Sequence, residues 1–381
     1  MRRLHTKPRS VPPNSASVIV NGRFLTQRLT GVQRYAVEVV SRLHEAPGIG
    51  SVHVLRPAMP DPLTRIEAPR TSVHPLGRLG GQSWEQIELA SRARSLDAPL
   101  WSPCNVGPIT TDNHIVTIHD LSAILHPEWV SRAFHLWYRL LLPQLARRCR
   151  HIVTNSEYTR GTIVDTLGVS EEAVTAVPLG VGTAFVPASA SRIEDLRRRY
   201  ELPDTFVLAL GTLEPRKNLN HLIRAWSTLP ESHRPPLAIA GGIGNPRVFG
   251  RLDVARLLER GHIRLLGYIP DQDLPALYSA ATVFVFPSLE EGFGLPPLEA
   301  IACGAQVVTS NNSALAENCL GIATLVDLND IDHIRAAIEK AILHPTSAKE
   351  RALHREEVRK RFDWGGTAKR VGNILLRHGA H

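Results

Sequence analysis

Cysteine is scarce in this sequence, and its cysteines form no recognisable pair. The chain has 381 residues and four cysteines. No Cys-x-x-Cys motif occurs in the sequence, and no histidine stands at metal-ligand spacing from a cysteine. This absence argues against a structural metal or a disulfide framework and favours a reducing compartment. The cysteines are Cys104, Cys149, Cys303 and Cys319.

Long apolar runs are also missing. No stretch of the sequence approaches the ~20 apolar residues that a membrane-spanning helix needs. The basic residues 1–13 are not followed by the apolar core of a secretory signal, because Ser17–Val20 is too short. We therefore predict a cytoplasmic protein whose residues 1–15 form a disordered extension. This prediction also allows the protein to contact an anionic membrane peripherally, at the inner face of the plasma membrane.

The sequence shows no low-complexity tract and no period of about 20–50 residues, which excludes repeat architectures. Its 43% hydrophobic and 21% charged residues are typical of a soluble globular protein. A net charge of +8 would suit nucleic acid, an anionic membrane or a phosphorylated small molecule, and solvated surface charges explain it equally well. Because the cations are dispersed and lysine is scarce, we predict no nucleic-acid partner.

Short apolar runs alternate with longer amphipathic segments, and this alternation occurs twice. The pattern predicts βαβ units with parallel sheets, and the length predicts two α/β domains. A passage rich in Pro, Gly and Ala, residues 178–190, separates the two series and predicts an interdomain linker. We expect Rossmann-like domains at 16–188 and 189–362, and a C-terminal helix at 363–381 that returns to the first domain.

Each series predicts its own strands and helices. The strands expected in the first half are Ala16–Val20, Val52–Leu55, Pro99–Trp101, His114–Ile118, His151–Thr154 and Val174–Val177. Its helices are expected near Val32–His44, Ser83–Arg94, Arg132–Arg148 and Glu157–Leu167. The strands expected in the second half are Phe206–Leu210, Leu237–Ala240, Ile263–Leu266, Val283–Phe286, Gln306–Val308 and Ala323–Leu325. Its helices are expected near Asn218–Trp226, Leu274–Ala280, Pro297–Ala302, Asp332–Leu343 and, with a break, Ser347–His378.

The stretch Pro287–Gly304 carries the strongest functional signal. It follows a strand-like run, and it places Glu291 in a turn and Glu299 on the helix that follows. Ligands of open α/β sheets bind at the carboxyl ends of strands, so both carboxylates can face one crevice. Gly292 and Gly294 would let backbone N–H groups approach a ligand closely. The alternative is that both acids only favour a helix N-terminus.

Arg216 and Lys217 follow a predicted buried strand and precede a predicted helix. Two cations beside the free N–H groups of a helix N-terminus suit a diphosphate. They would stabilise the negative charge that grows on a departing diphosphate more than the charge of the ground state. The alternative is a solvated pair at a helix start.

His119 and several glycines are further candidates. His119 ends a strand-like run, where its imidazole could hydrogen-bond a sugar or a developing charge, although a structural histidine is the alternative. Thr30–Gly31 precedes a predicted helix and suits a phosphate-facing turn. Gly242 and Tyr268 follow other strands, and ordinary turn chemistry explains them almost as well as ligand binding.

Several passages together resemble glycosyltransferase family four. They are residues 29–35, 84–86, 117–121, 154–159, 211–219, 240–242, 267–271 and 287–304. The resemblance implies a GT-B fold, in which two Rossmann-like domains face a central cleft, and a retaining enzyme. It is nearest to the mannosyl- and rhamnosyltransferases of bacterial polysaccharide assembly. The expected partners are a nucleotide-sugar donor, GDP-mannose before a GDP-deoxyhexose or UDP-sugar, and a saccharide or lipid-linked acceptor.

The resemblance also implies residue roles. Glu299 would accept hydrogen bonds from the donor ribose, and Glu291 would lie against the transferred sugar. The catalytic candidates are His119, Glu291, Arg216 and Lys217. The donor-binding candidates are Gly31, Gly211, Arg216, Lys217, Gly242, Tyr268, Gly292, Phe293, Gly294, Leu295 and Glu299. No cofactor or metal is expected, because basic side chains manage the leaving group in this family.

Other readings of the sequence fit less well. A Rossmann oxidoreductase needs Gly-x-Gly-x-x-Gly after the first strand, and residues 20–31 lack it. A non-catalytic GT-B scaffold would have no need of the two glutamates and the basic pair. The segment Arg132–Arg150 mixes aromatics and cations and could rest on an anionic membrane. A core-packed helix with a basic end is slightly favoured there.

Overall fold

A computed structural model describes residues 15–96, 98–212, 214–242 and 262–379. Within these ranges the chain forms two sheets whose paired strands are all parallel. The strands are β1 (Ala16–Asn21), β2 (Ile49–Pro57), β3 (Thr71–Leu76), β4 (Leu100–Ser102), β5 (His114–Thr117), β6 (His151–Thr154), β7 (Val174–Ala176), β8 (Val207–Leu210), β9 (Leu237–Ala240), β10 (Ile263–Gly267), β11 (Val283–Phe286), β12 (Val307–Ser310) and β13 (Thr324–Val326). The first sheet has the order β3-β2-β1-β4-β5-β6-β7, and the second has the order β10-β9-β8-β11-β12-β13.

Helices cover both sheets. In the first half they are Gly31–Arg42, Ser122–Leu125, Arg132–Arg148, Glu157–Leu167 and the consecutive segments Gly81–Ser83, Trp84–Leu89 and Ala90–Arg94, of which the middle one is a π-helix. In the second half they are Ala190–Tyr200, Leu219–Ser227, Leu274–Ala280, Leu295–Ala302, Ser313–Cys319, Ile331–Leu343, Ala348–Arg361 and Trp364–Gly379. Serines accept from backbone N–H groups at several starts, including Ser131, Ser156 and Ser189.

The central strands are buried on both faces, which is why they read as continuous apolar runs in the sequence. All residues of β5, β6, β9, β11 and β12 are buried. The strand order reverses between β1 and β4 in the first sheet and between β8 and β11 in the second. Ligands of such sheets bind beyond the carboxyl ends of the strands at these switch points, so the loops after β8 and β11 are placed to form a site.

The C-terminal helix Trp364–Gly379 packs against the first domain. Gly372 lies so close to that domain that a Cβ added to it would be 2.4 Å from the Cβ of Ala46. A Cβ on Gly180 would be 2.3 Å from the backbone nitrogen of Trp364. The helix therefore closes the core of the first domain after the chain has passed through the second.

The predicted and observed elements differ mainly where the apolar signal is weak. Strand β3 was not predicted, because it is a partly exposed edge strand that contains Pro75. The helix Ala190–Tyr200 starts at the last residue of the predicted linker and buries only Leu196, so it lacks a broad apolar face. The helix Ser313–Cys319 has only seven residues and was also missed. Residues 1–14 of the predicted extension lie outside the described ranges.

The helix Arg132–Arg148 is buried along its second half only. Leu141, Leu142 and Leu145 pack into the core, whereas the first half faces solvent. The prediction of a core-packed helix is therefore correct for the second half of this helix only. Its exposed apolar side chains are Phe134 (43% exposed), Leu136 (55%), Trp137 (36%) and Leu140 (57%). Among the helices of the described ranges, none combines the length and hydropathy that crossing a bilayer requires.

Candidate active site between the two domains

Nine of the predicted site residues line one cavity between the domains. This central cavity has a volume of about 320 Å³. The predicted residues that line it are Gly31, His119, Arg216, Lys217, Glu291, Gly292, Phe293, Gly294 and Leu295. A second cavity of about 320 Å³, here called the side cavity, shares Leu295 with it and is lined by Glu299 and Arg34. Residues from both halves of the chain meet in each cavity.

Arg216, Lys217 and Glu291 form a charged cluster at the switch point of the second sheet. The 3-10 turn Pro215–Lys217 follows β8, and Glu291 follows the neighbouring strand β11. Lys217 Nζ lies 2.6 Å from Glu291 Oε1, and Arg216 Nη1 lies 2.8 Å from Oε2. The Ser288 hydroxyl donates to Oε1 at 2.8 Å. Each carboxylate oxygen of Glu291 thus has its own cation.

The charges of this cluster hold one another in the ionised form. Burial alone would raise the pKa of Glu291, but Lys217 and Arg216 outweigh burial and lower that pKa to about 2. Burial lowers the pKa of Lys217, and Glu291 opposes part of that effect. Two cations and one carboxylate leave the cluster with an excess of positive charge at neutral pH.

This excess of charge can bind an anion without displacing Glu291. A guanidinium carries five N–H donors and an ammonium three. Arg216 Nη1 donates to Glu291 and to the Glu290 carbonyl, and Lys217 Nζ donates to Glu291, so other N–H groups remain for a ligand. Glu291 then fixes where the two cations point.

Two glycines allow the turn after Glu291 to pass close to other elements. A Cβ on Gly292 would lie 1.9 Å from the backbone oxygen of His119 in the first domain. Gly294 has a φ of 87°, and a Cβ there would lie 2.3 Å from a methyl carbon of Leu315. Only glycine fits these two positions without movement of the neighbours. The close approach at Gly292 brings the two domains together beside Glu291.

Glu299 is buried on the helix Leu295–Ala302 and borders the side cavity. The Tyr278 hydroxyl donates to Glu299 Oε2 at 3.3 Å, and Arg34 Nη1 lies 3.8 Å from Oε1. Burial raises the pKa of Glu299 to about 7, although Arg34 and Tyr278 oppose the rise. Asp271, which also pairs with Arg34, adds to it. The carboxyl group can therefore gain or lose its proton near neutral pH.

The side chain of His119 is held inside the first domain. Its Nε2 lies 2.7 Å from the Pro103 carbonyl oxygen, and the amide of Asn155 lies 2.7 Å from its Nδ1. The ring packs edge-on against Tyr35 at 4.8 Å between centroids. Burial lowers the pKa of His119, so the ring is neutral at pH 7. The atom of His119 that packs against the turn after Glu291 is its backbone oxygen.

The remaining predicted residues take less central places. Phe293 is buried with its ring edge-on to Phe362, so its side chain belongs to the core. Gly211 follows β8 and packs beneath the Lys217 side chain. Gly242 and Tyr268 follow β9 and β10 at the same sheet edge, and neither lines the central or the side cavity.

Several side chains at the cleft were not predicted as site residues. Arg34 reaches from the first domain to Glu299 and Asp271. His126 Nε2 lies 2.6 Å from Glu290 Oε2, again across the cleft. Asn155 lines the central cavity beside His119. Their partners lie far away in the sequence, so no local pattern could reveal these contacts.

Within the described ranges, no three His, Cys, Asp or Glu side chains lie close enough together to hold a metal ion. The Asp-x-Asp sequence at Asp271 and Asp273 stands at a helix start, where Asp273 pairs with Arg199 at 2.8 Å. The polar and charged residues that line the central cavity are Thr30, His119, Asp120, Asn155, Arg216, Lys217 and Glu291. Such groups can hold a polar, negatively charged ligand.

Comparison with known proteins identifies both halves of the chain. The family model described as "Glycosyl transferases group 1" matches residues 193–361, and that described as "Glycosyltransferase Family 4" matches residues 29–185. "O-antigen chain mannosyltransferase B" of Escherichia coli is 32% identical over 358 residues, which make up 88% of this chain and 93% of that protein.

Solved structures share the fold. Sucrose-phosphate synthase from Thermosynechococcus elongatus has a TM-score of 0.74 at 18% identity and covers 95% of this chain and 98% of its own. WaaG, a glycosyltransferase involved in lipopolysaccharide biosynthesis, has a TM-score of 0.70 at 15% identity, with 94% and 99% covered. These structures show the GT-B fold, and the family models and the Escherichia coli relative show a glycosyltransferase, both as predicted. The chain belongs to glycosyltransferase family 4.

Replacing Glu291 by glutamine should destabilise the protein, because it leaves Arg216 and Lys217 side by side without their counter-charge. We expect the free energy of unfolding at pH 7 to fall by about 3 kcal/mol, measured by urea denaturation. Since the pKa of Glu291 is lowered to about 2, the effect should be full above the unfolded pKa near 4.5 and shrink as pH falls toward 2.

Glu214→Gln is the matched control, because Glu214 is exposed and lies in the loop that carries Arg216 and Lys217. It should change the free energy of unfolding by less than about 0.5 kcal/mol. Equal effects of the two substitutions at pH 7 would show that the cluster does not stabilise the domain.

Proposed function

We propose that this glycosyltransferase moves mannose from GDP-mannose to a hydroxyl group of a saccharide or lipid-linked saccharide during cell-surface polysaccharide synthesis. The observation that carries the proposal is the cluster of Arg216, Lys217 and Glu291 at a switch point that opens on the cleft. The Escherichia coli relative, named as an O-antigen chain mannosyltransferase, supports the choice of sugar and product. Acceptor and linkage are left open.

The donor would lie across the two cavities. Arg216 and Lys217 would hold its diphosphate with the N–H groups that Glu291 and the Glu290 carbonyl leave unused. Glu299, which borders the side cavity, would accept hydrogen bonds from the ribose hydroxyls. The sugar would then lie in the central cavity, near Gly292 and the backbone oxygen of His119.

The transfer step follows from this placement. The bond between the anomeric carbon and the diphosphate oxygen breaks, and the acceptor oxygen bonds to that carbon from the same face. Because attack and departure take place on the same face, the configuration is retained, and the acceptor proton passes to an oxygen of the departing diphosphate. Fixed cations stabilise the charge that develops on the leaving group. Glu291 is tied to two cations, which disfavours it as the nucleophile of a two-step route.

Contacts across the cleft support closure over the substrates. Ser156 and Thr159 of the first domain donate to the Gly292 carbonyl at 2.8 and 3.2 Å. His126 meets Glu290, and Arg34 meets Asp271. A closed cleft keeps water from the donor and so limits its hydrolysis.

A screen of nucleotides tests the donor site. GDP should raise the melting temperature more than UDP or dTDP, because a ligand that binds only the native state stabilises it. A GDP-deoxyhexose or UDP-sugar is the alternative donor, and a larger shift with UDP would indicate the latter. Turnover of GDP-mannose, with the anomeric configuration of the product read by NMR, then tests transfer and retention. Absence of any nucleotide shift would refute the proposal.

Lys217→Met should weaken binding of GDP, because it removes a charge-assisted hydrogen bond. We expect the Kd to rise about ten- to hundredfold. Lys349→Met, at an exposed lysine of the second domain, is the control and should leave the Kd unchanged.

Affinity for GDP should also fall as pH drops through 7. Only ionised Glu299 accepts hydrogen bonds from both ribose hydroxyls, and burial places its pKa at about 7. If only the ionised form binds, the Kd rises about tenfold from pH 8 to pH 6. The carboxyl group of Glu299 is also surrounded by Arg34, Asp271 and Tyr278. Calorimetry should therefore compare the wild type with the single variant Glu299→Gln, which leaves these neighbours unchanged. The same pH slope in both proteins would argue against this role.

We further propose that the exposed start of the helix Arg132–Arg148 rests on an anionic membrane. Phe134, Leu136, Trp137 and Leu140 are exposed there, and arginines flank them at Arg132 and Arg139. Apolar side chains with flanking cations suit the interface of an anionic bilayer. On the inner side of this helix, Tyr138 is partly buried, and burial together with the nearby charge of Asp120, a residue of the central cavity, raises its pKa to about 12. A lipid-linked acceptor would thus be close to the cleft.

Vesicle flotation tests this contact. The protein should bind phosphatidylglycerol vesicles at low salt and bind them less at high salt. Replacing Phe134, Leu136, Trp137 and Leu140 by serine should reduce binding at least about tenfold. A variant with exposed Leu320 and Leu353 replaced by serine is the control and should bind normally. Equal binding of both variants would exclude this helix as the membrane surface.

A further inference from the structure

Asn155 has a buried polar atom without a partner at the wall of the central cavity. It follows β6 at the carboxyl edge of the first sheet, is 3% exposed and lines the cavity with His119 and Asp120. Its amide nitrogen lies 2.7 Å from His119 Nδ1. Within the described part of the chain, its Oδ1 accepts no hydrogen bond. A buried acceptor without a partner destabilises the folded state, so its presence at a cavity points to a ligand.

The orientation of this amide is fixed by His119. The Nε2 of His119 lies 2.7 Å from the Pro103 carbonyl, which can only accept, so Nε2 carries the ring proton. The Nδ1 atom of the neutral ring then lacks a proton and accepts a hydrogen bond from the Asn155 amide N–H. The ring cannot swing away freely, because it packs against buried Tyr35. Oδ1 is therefore the atom of Asn155 that is left for a ligand.

The chain around Asn155 holds it at a fixed place relative to the turn after Glu291. The next residue, Ser156, caps the helix Glu157–Leu167 and donates to the Gly292 carbonyl at 2.8 Å. Thr159 donates to the same carbonyl at 3.2 Å. The Gly292 backbone in turn packs against the backbone oxygen of His119. Asn155, His119 and Gly292 thus border one small part of the cavity.

We propose that Asn155 Oδ1 accepts a hydrogen bond from a sugar hydroxyl in the cleft, and that His119 is a positioning residue that holds the Asn155 amide. An amide oxygen only accepts, so its partner must donate, which excludes diphosphate oxygens; the donors that a sugar offers are its hydroxyl groups. The hydroxyl belongs either to the sugar of the donor or to the acceptor saccharide. The inference rests on the proposed function, since it requires a sugar in this cavity.

Calorimetry with GDP and GDP-mannose tests the inference in Asn155→Ala. If the donor sugar supplies the hydroxyl, the variant should bind GDP-mannose about tenfold or more weakly and bind GDP as the wild type does. If the acceptor supplies it, donor affinity should be unchanged and the KM for the acceptor should rise about tenfold or more. Unchanged GDP-mannose affinity together with unchanged acceptor KM would overturn the inference.

Two further variants separate ligand binding from a structural effect. Asn113→Ala is the matched control. Asn113 directly precedes β5, at the opposite edge of the same sheet, and its Oδ1 also has no partner in the described ranges. This substitution should leave GDP-mannose affinity and acceptor KM unchanged. Asn155→Asp keeps an acceptor oxygen, so it should recover part of the affinity that Asn155→Ala loses. Equal loss of GDP and GDP-mannose binding in Asn155→Ala would indicate a structural role and contradict the inference.

Failure of the proposed function would look different. In that case the wild-type protein would bind neither GDP nor GDP-mannose. Failure of the inference about Asn155 alone would leave wild-type binding intact and the Asn155→Ala protein indistinguishable from it. A GDP-mannose analogue that lacks the recognised hydroxyl should bind wild type and Asn155→Ala equally.

Discussion

The salt bridges from Arg216 and Lys217 to Glu291 are the interaction on which the site depends. They hold two cations at the carboxyl edge of the second sheet, where like charges would otherwise repel each other in a partly buried place. The same bridges fix the turn after Glu291, and that turn meets the first domain through Gly292. One partly buried carboxylate therefore couples the charge of the cleft to the contact between the domains.

The sequence was sufficient for most of the fold because the buried parallel strands carry continuous apolar runs, as in β5, β6 and β11. It failed for the edge strand β3, whose exposed residues and Pro75 give no such run. The helix Ala190–Tyr200 was hidden for a related reason, since its three consecutive arginines and single buried residue resemble a polar linker.

For the site, the sequence brought out residues that share a local motif. Arg216–Lys217 and Glu291 stand beside apolar strands, so position in the chain was enough to propose them for one donor site, but the ion pairs between them were not predicted. Arg34 and Asn155 could not be found this way. The partner of Arg34 comes from a remote segment of the chain, and the contact of Asn155 depends on the tautomer of His119. His119 shows the limit of motif reasoning: the sequence places it at the cleft, but only packing reveals that its ring faces inward.

The return of the C-terminal helix to the first domain has a consequence for synthesis on the ribosome. The first domain is translated first, yet its surface around Ala46 and Gly180 is covered by residues 364–379. Its core cannot close until residues 364–379 have been synthesised. The second domain lies between these segments and can complete its sheet earlier. A nascent chain therefore contains all of the second domain before it contains all of the first.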